Sequence, residues 1–191
     1  IGAPYEAGYI VGNGISSVTG LVRIYNWDGT SWNQIGQDLT GGQYDYFGTD
    51  VSLDSSGTTL AVGMPNAGGA GEVRVYYYDG SIWIQKGTNI LGYGVGDSWG
   101  GSVSISNDGN TVIAGAREND GNGNQAGNAR IFNYDHPPGV FGGSWNQLGQ
   151  DIEGNNANDE FGWDVSINGA GSIVAISSPY SKYVKVFDWN G

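Results

Sequence analysis

Residues 21–27, LVRIYNW, alternate apolar and polar positions, the period of a half-buried β-strand and not of a helix. Similar short runs return along the chain, each closed by a cluster of Asp, Asn, Ser and Gly. Within residues 41–91 they predict four strands, over 47–53, 59–64, 72–78 and 82–90. The turns between them are Asp54-Ser55-Ser56-Gly57, the loop 66–71 and Asp79-Gly80, the last a hairpin signal that also stands at Asp28-Gly29. No stretch carries a helical period. The prolines stand at strand ends or in loops, where a missing amide does not interrupt a ladder.

One unit recurs. FGTDVSLDSSGTTLAVGMP (47–65) is followed by WGGSVSISNDGNTVIAGAR (99–117) and FGWDVSINGAGSIVAISSP (161–179), and IGAP (1–4) matches the tail of a further copy. Gly48, Gly100 and Gly162 fall in one column, as do Val51, Val103 and Val165, then Gly57, Gly109 and Gly171. Trp32, Trp83 and Trp145 form another. The step between the last two copies is longer because of two insertions, one around Asp120 and one at HPPGVFGG from His136, and stacked repeats tolerate insertions in loops. The division is a partial copy over 1–40, copies over 41–91 and 92–154, and a partial copy over 155–191. Four antiparallel strands in about 50 residues is the size of one propeller blade. The glycines of AVGMP and IAGAR predict close backbone approach near the axis of such a ring. The first copy opens in its second strand and the last closes after its third. Rings of roughly 4–8 blades protect their strand edges by closure, so further blades are expected from the same chain or from a second copy.

Composition changes this picture little. With 36 glycines in 191 residues the chain suits tight turns, and 13% aromatic content argues against disorder. A net charge of −12, with only seven Lys and Arg, excludes nucleic acid and anionic lipid as partners, since both need cations against phosphate. There is no cysteine, hence no disulfide or thiol chemistry, and a single histidine argues against a zinc site or a nucleophile triad. No apolar run approaches a membrane span, and no signal peptide is visible.

Four sets of side chains invite chemistry. Arg23, Arg74, Arg130 and Lys185 share one repeat position; they read as a column of ion pairs between blades, with acids such as Asp50 and Asp164, or alternatively as an anion-binding ring. Asp45, Asp97 and Asp159 recur two residues before the Phe/Trp-Gly and read as turn caps, although the adjacent Asp159-Glu160 also suggests acid–base cleavage of glycosides. Trp27, Tyr78, Tyr134 and Trp189 close the third strands; they pack on Trp32, Trp83 and Trp145, or line a rim where they stack on sugars. Asp120, Asn122 and Asn124 have spacing able to present oxygens to calcium, but an EF-hand counted from Asp120 fails, with Gln125 at position six and Ile131 at position twelve.

The pattern FG-x-x-V-S-[LI]-x-x-x-G-x-x-[LI]-A-[VI]-G-x-P, followed by G-x-V-R-V-Y, resembles the FG-GAP repeats of integrin α-subunit β-propellers. Phe47-Gly48 and Phe161-Gly162 match the FG, Gly2-Ala3-Pro4 matches the GAP, and Gly63-Met64-Pro65 nearly does. Trp99 replaces Phe, Arg117 replaces Pro, and Ser177-Ser178-Pro179 replaces GAP. The resemblance implies an all-β chain of four-stranded antiparallel blades, about three and a half of a seven-blade ring. It also implies an extracellular or cell-surface place and a non-catalytic role in adhesion, scaffolding or assembly with other proteins or glycan surfaces. The expectation is therefore a protein that is not an enzyme, with a lectin-like propeller second and a glycoside-cleaving enzyme third. The family's calcium loops are not implied, because the turns DSSG, SNDG and NGAG are too short and offer too few carboxylates. No cofactor is expected, and calcium only at the Asp120 loop.

Overall fold

The computed structural model describes residues 2–3, 7–8, 17–136 and 142–189. Residues 4–6 and 9–16, and Pro137 and Pro138 of the HPPGVFGG insertion, lie outside the described residues. In chain order the strands are β1 (Gly2–Ala3), β2 (Ala7–Gly8), β3 (Ser17–Val18), β4 (Leu21–Val22), β5 (Tyr25–Trp27), β6 (Trp32–Gln34) and β7 (Leu39–Thr40). There follow β8 (Val51–Leu53), β9 (Thr59–Met64), β10 (Glu72–Tyr78), β11 (Trp83–Gln85) and β12 (Ile90–Leu91). The third set is β13 (Ser102–Ile105), β14 (Thr111–Ala116), β15 (Asn128–Asp135) and β16 (Ser144–Glu153), and the last is β17 (Val165–Ile167), β18 (Ile173–Ser178) and β19 (Tyr183–Asp188). The described residues contain no α-helix, only a 3-10 turn at Ala67–Gly69.

Pairing is antiparallel and sequential. The larger sheets run β1-β4-β7, then β8-β9-β10-β11 with β12 also on β10, then β13-β14-β15-β16, then β17-β18-β19; β2-β3 and β5-β6 pair separately. Two expected strands match β9 and β10, while the strand expected over 47–53 shortens to β8. Its first residues are a loop instead: the Gly48 amide donates to Gly63 O at 3.0 Å and the Thr49 amide to Tyr46 O at 3.1 Å. Tyr46, Ser98 and Glu160, each just before the Phe/Trp-Gly pair, all take positive φ (58°, 60° and 49°), so this unusual turn recurs with the repeat.

Apolar side chains fill the spaces between consecutive sheets. Val22, Ile24 and Leu39 meet Phe47, Leu60 and Val62 across the first space. Ala61, Val73 and Val75 meet Trp99, Val103 and Phe132 across the second. Ile113, Ala129 and Ile131 meet Phe161, Val165 and Ile176 across the third. A central sheet is thus covered on both faces, which is why β9 and β14 are buried at every position and read as continuous apolar runs.

The motif glycines lie where one copy seats on the next. A Cβ on Gly63 would fall 2.0 Å from Gly100 O, and a Cβ on Gly115 would fall 2.0 Å from Gly162 O. Gly71 and Gly127 touch the Trp99 and Phe161 backbones in the same way, at 2.2 and 2.1 Å from the carbonyl oxygens. The Trp99-Gly100 and Phe161-Gly162 loops are each held between two glycines of the preceding copy, as the close approach read from AVGMP and IAGAR requires.

Candidate functional site

The first strands of three successive copies, β8, β13 and β17, lie side by side without pairing as a sheet. Strands that face without pairing leave amides to satisfy, and side chains do so. Ser52 Oγ accepts the Ile105 amide at 3.2 Å, and Ser104 Oγ accepts the Ile167 amide at 3.1 Å. One step toward the Phe/Trp-Gly loops, Asp50, Ser102 and Asp164 occupy a single column. Asp50 Oδ2 accepts the Val103 amide at 2.7 Å, and Ser102 Oγ accepts the Val165 amide at 3.2 Å.

Ser102 Oγ is also 3.2 Å from Asp50 Oδ2 and 3.2 Å from Asp164 Oδ1. Its single proton serves one carboxylate at a time. Asp50 is further tied down by the Val51 amide at 2.9 Å. Asp164 is exposed, and among the described residues Ser102 is the one donor to its carboxylate. Asp164 therefore has lone pairs free for a ligand or a water. Beside it in the chain Trp163 is 40% exposed, with Tyr180 edge-on at 5.7 Å and the Arg117 guanidinium carbon 4.7 Å from its ring centroid. Arg117 also pairs with Glu118 at 3.2 Å. Asp164 and Ser102 offer a carboxylate base and a hydroxyl that can orient it, and the residue before Asp164 in the chain carries an aromatic face with a cation on it. Sequence reading missed Ser102, Trp163 and Arg117 here. The available signals were Arg117 in the place of the repeat's Pro and a Ser breaking the Asp column.

The basic column does not pair with Asp50, which is engaged by the Val51 and Val103 amides, or with Asp164, which meets Ser102. Arg23 pairs with Asp38 at 2.9 Å on the surface, and Arg74 with Glu72 two residues away on its own strand. Arg130 is buried with its guanidinium carbon 3.8 Å from the Trp99 ring centroid and 3.9 Å from that of Tyr93, and it donates to Leu91 O at 3.1 Å. Burial pushes its pKa down. Lys185 lies 4.9 Å from the Phe161 ring centroid and donates to Asn155 Oδ1. In two copies, then, the cation covers the aromatic of the Phe/Trp-Gly pair, a use of the ring's negative face that a repeat position cannot reveal.

The strand-end aromatics are paired. Trp27 meets Trp32 at 5.5 Å between ring centroids, Tyr78 meets Trp83 at 5.2 Å and Tyr134 meets Trp145 at 5.2 Å. Trp189 is exposed and packs near Gly149. In the loop 120–124, Asp120 Oδ1 accepts the Gln125 amide, Asn122 donates to Gly154 O at 2.7 Å, and Asn124 donates to Asn158 Oδ1 at 3.4 Å. The loop is docked on residues 154–158 by amide donors rather than turned to converge oxygens on one point. The turn acids are likewise engaged: Asp54 Oδ1 accepts the Thr58 and Thr59 amides, and Asp108 Oδ1 accepts the Asn110 amide. Among the described residues no three of His, Cys, Asp and Glu are grouped to hold a metal.

Asp45 and Asp97 accept the Gly42 and Gly94 amides. Asp159 is buried and takes the Asn155 and Asn156 amides and the Ser181 and Tyr183 hydroxyls. Both its oxygens are occupied, which removes it as a partner of Glu160 in glycoside cleavage. The Ser181 hydroxyl above all, with the Tyr183 hydroxyl and the two amides, outweighs burial and holds its carboxyl below the usual range. A depressed folded pKa contributes stability that is present above the unfolded value, about 3.9, and is lost as pH falls through the folded value. Asp159→Asn is thus expected to lower the melting temperature at pH 7, with the gap to the parent closing below about pH 4. Thermal melts at pH 7, 5 and 3 check this, and a gap independent of pH would contradict it.

No family model matches the chain, and no curated protein matches it. Among solved structures it is similar to a Bacteroides uniformis ATCC 8492 protein provisionally named a 6-phosphogluconolactonase, with a TM-score of 0.62 and 15% identity. The likeness covers 92% of this chain and 45% of that one, so the chain spans under half the length of that protein. This corrects the reading of a non-catalytic adhesion or scaffolding module and of a protein that is not an enzyme. Both were drawn from the repeat, and the architecture that the repeat builds is shared with a protein named for an enzyme.

Proposed function

We propose that the chain is a run of β-propeller blades of FG-GAP type in a hydrolase that opens sugar lactones, with Asp164 as its general base. The support is the architecture shared over 92% of the chain with a protein provisionally named a 6-phosphogluconolactonase. Sequential antiparallel sheets with their first strands side by side and apolar cores between them suit blades around an axis. The site reading adds the column at that axis, of which Asp164 alone is open.

In the proposed reaction Asp164 takes a proton from a water as the water oxygen bonds to the lactone carbonyl carbon. The carbonyl electron pair moves onto its oxygen. Collapse of the tetrahedral species breaks the ring C–O bond, and the leaving ring oxygen takes up the proton, giving the open hydroxy acid. Ser102 orients the carboxylate, Trp163 presents a face to the sugar carbons, and Arg117 attracts the developing oxyanion. A net charge of −12 disfavours an anionic substrate at low salt, so a neutral sugar lactone is expected to be taken ahead of its phosphate ester.

The test is hydrolysis of glucono-δ-lactone and its 6-phosphate, followed by acid release and corrected for the spontaneous reaction. Asp164→Asn should slow turnover by about 100-fold or more. Its melting temperature should stay close to the parent's, since the side chain is exposed. Turnover no faster than the spontaneous reaction, or full activity in Asp164→Asn, would overturn the reading.

A further inference from the structure

In β8, β13 and β17 and the residues that flank them, side chains alternate between the apolar core and the neighbouring first strand. The polar side of these strands therefore has three layers. The first is Asp50, Ser102 and Asp164, the second Ser52, Ser104 and Ser166, and the third Asp54, Ser106 and Asn168. The first layer uses its proton internally, since the Ser102 hydroxyl serves Asp50 or Asp164. The third is spent on its own turns. Asp54 Oδ1 accepts the Thr58 and Thr59 amides, and Asn168 Oδ1 accepts the Ser172 and Ile173 amides at 2.9 and 3.0 Å. Ser106 donates to Asp108 Oδ1 at 2.6 Å while its oxygen accepts the Thr111 amide at 2.9 Å.

The middle layer differs. Ser52 and Ser104 accept the Ile105 and Ile167 amides through Oγ, and a hydroxyl engaged in this way still has a proton to donate. Among the described residues no side chain or backbone oxygen takes the proton of Ser52, Ser104 or Ser166. Ser52 and Ser104 are half-buried and Ser166 is exposed, so a ligand can reach them. Donors so placed select a ligand that brings acceptor oxygens. Carboxylates and phosphates are disfavoured, because Asp50 and Asp164 stand one layer away and like charges repel. Neutral hydroxyl oxygens are the acceptors that fit. Two residues of strand, about 7 Å, separate this layer from Asp164. A six-membered lactone whose carbonyl carbon meets the water held by Asp164 can span that distance with the hydroxyl groups on the far side of its ring.

We infer that Ser104, with Ser52 and Ser166, selects lactones that carry ring hydroxyls, by donating to those hydroxyl oxygens while the carbonyl carbon stands at Asp164. The inference rests on the lactone reading and adds to it the residues that tell a sugar lactone from a bare one. These serines act on specificity, and the proton transfers stay with Asp164.

The test compares glucono-δ-lactone with δ-valerolactone, which has the same ring and no hydroxyl groups, as kcat/KM corrected for spontaneous hydrolysis. The parent protein is expected to prefer the sugar lactone by about 100-fold or more, since a site that hydrogen-bonds a substrate hydroxyl rejects the analogue lacking it. Ser104→Ala and Ser166→Ala should each lower that preference about 10-fold, and Ser104→Thr, which keeps a hydroxyl, should retain most of it. Ser166 accepts no backbone amide among the described residues, so its alanine variant removes a donor without breaking a bond between strands. A loss shared equally by the two lactones, or an unchanged preference in both alanine variants, would overturn the inference. Equal turnover of the two lactones by the parent would also overturn it, while leaving Asp164 as the base. Turnover of neither above the spontaneous rate would remove the lactone reading and this inference with it.

Discussion

Gly115→Ala is expected to remove more than about 3 kcal/mol of folding stability, beyond the usual cost of an added methyl group in a packed interior. The new Cβ would lie 2.0 Å from Gly162 O and 2.9 Å from its carbonyl carbon. Those are backbone atoms of the next copy, and they cannot swing aside as a side chain can. The Gly162 loop is fixed in turn, because its amide donates to Ser177 O at 3.1 Å and Gly127 closes on Phe161 O from another side. The clash is therefore relieved only by moving one copy away from the other, which opens the core formed by Ile113, Phe161 and Ile176. Gly57→Ala is the control. Its φ is 70° but nothing lies within 4 Å of its Cβ position, so it should cost only the left-handed conformation, about 1–2 kcal/mol. Urea unfolding of the two variants measures the difference, and equal midpoints would show that the two copies do not meet at this glycine.

Trp99→Ala is expected to cost about 4 kcal/mol, in the range for a fully buried aromatic, whereas Trp99→Phe should cost only about 1–2 kcal/mol. Phe47 and Phe161 occupy the same repeat position and are as fully buried as Trp99, so the site accepts a phenyl ring. What phenylalanine cannot supply is the Nε1 bond to Ile90 O at 3.1 Å and the larger face under the Arg130 guanidinium, 3.8 Å from the ring centroid. Alanine loses these and the edge contact with Phe132 at 5.9 Å, and leaves a cavity between the second and third sheets. Calorimetric melting of the three proteins orders them, and a Trp99→Phe variant as unstable as Trp99→Ala would refute the equivalence of the three copies.

In both cases the loop of one copy is the core of the copy before it. Stability in such an array is carried by the contacts between neighbours. The uncovered last sheet shows the converse: Val184 and Val186, counterparts of the fully buried Val73 and Val75, are 63% and 66% exposed.

Local structure was legible in the order of the residues. Short runs of apolar residues bounded by turn residues placed β9 and β10 at their observed limits, and Asp-Gly and Ser-Gly placed the turns, because strand pattern and turn chemistry are properties of a few adjacent residues. The repeat columns also located the glycines of close approach. What each column faces was set by how the sheets pack. Asp50 and Asp164 look in sequence like acids awaiting a basic partner, but Ser102 stands between them. They meet one another because the first strands of three sheets lie side by side unpaired, leaving amides that a side chain must accept. Arg130 and Lys185 meet aromatic rings for the same reason, since sheet-to-sheet seating, not spacing along the chain, sets their neighbours.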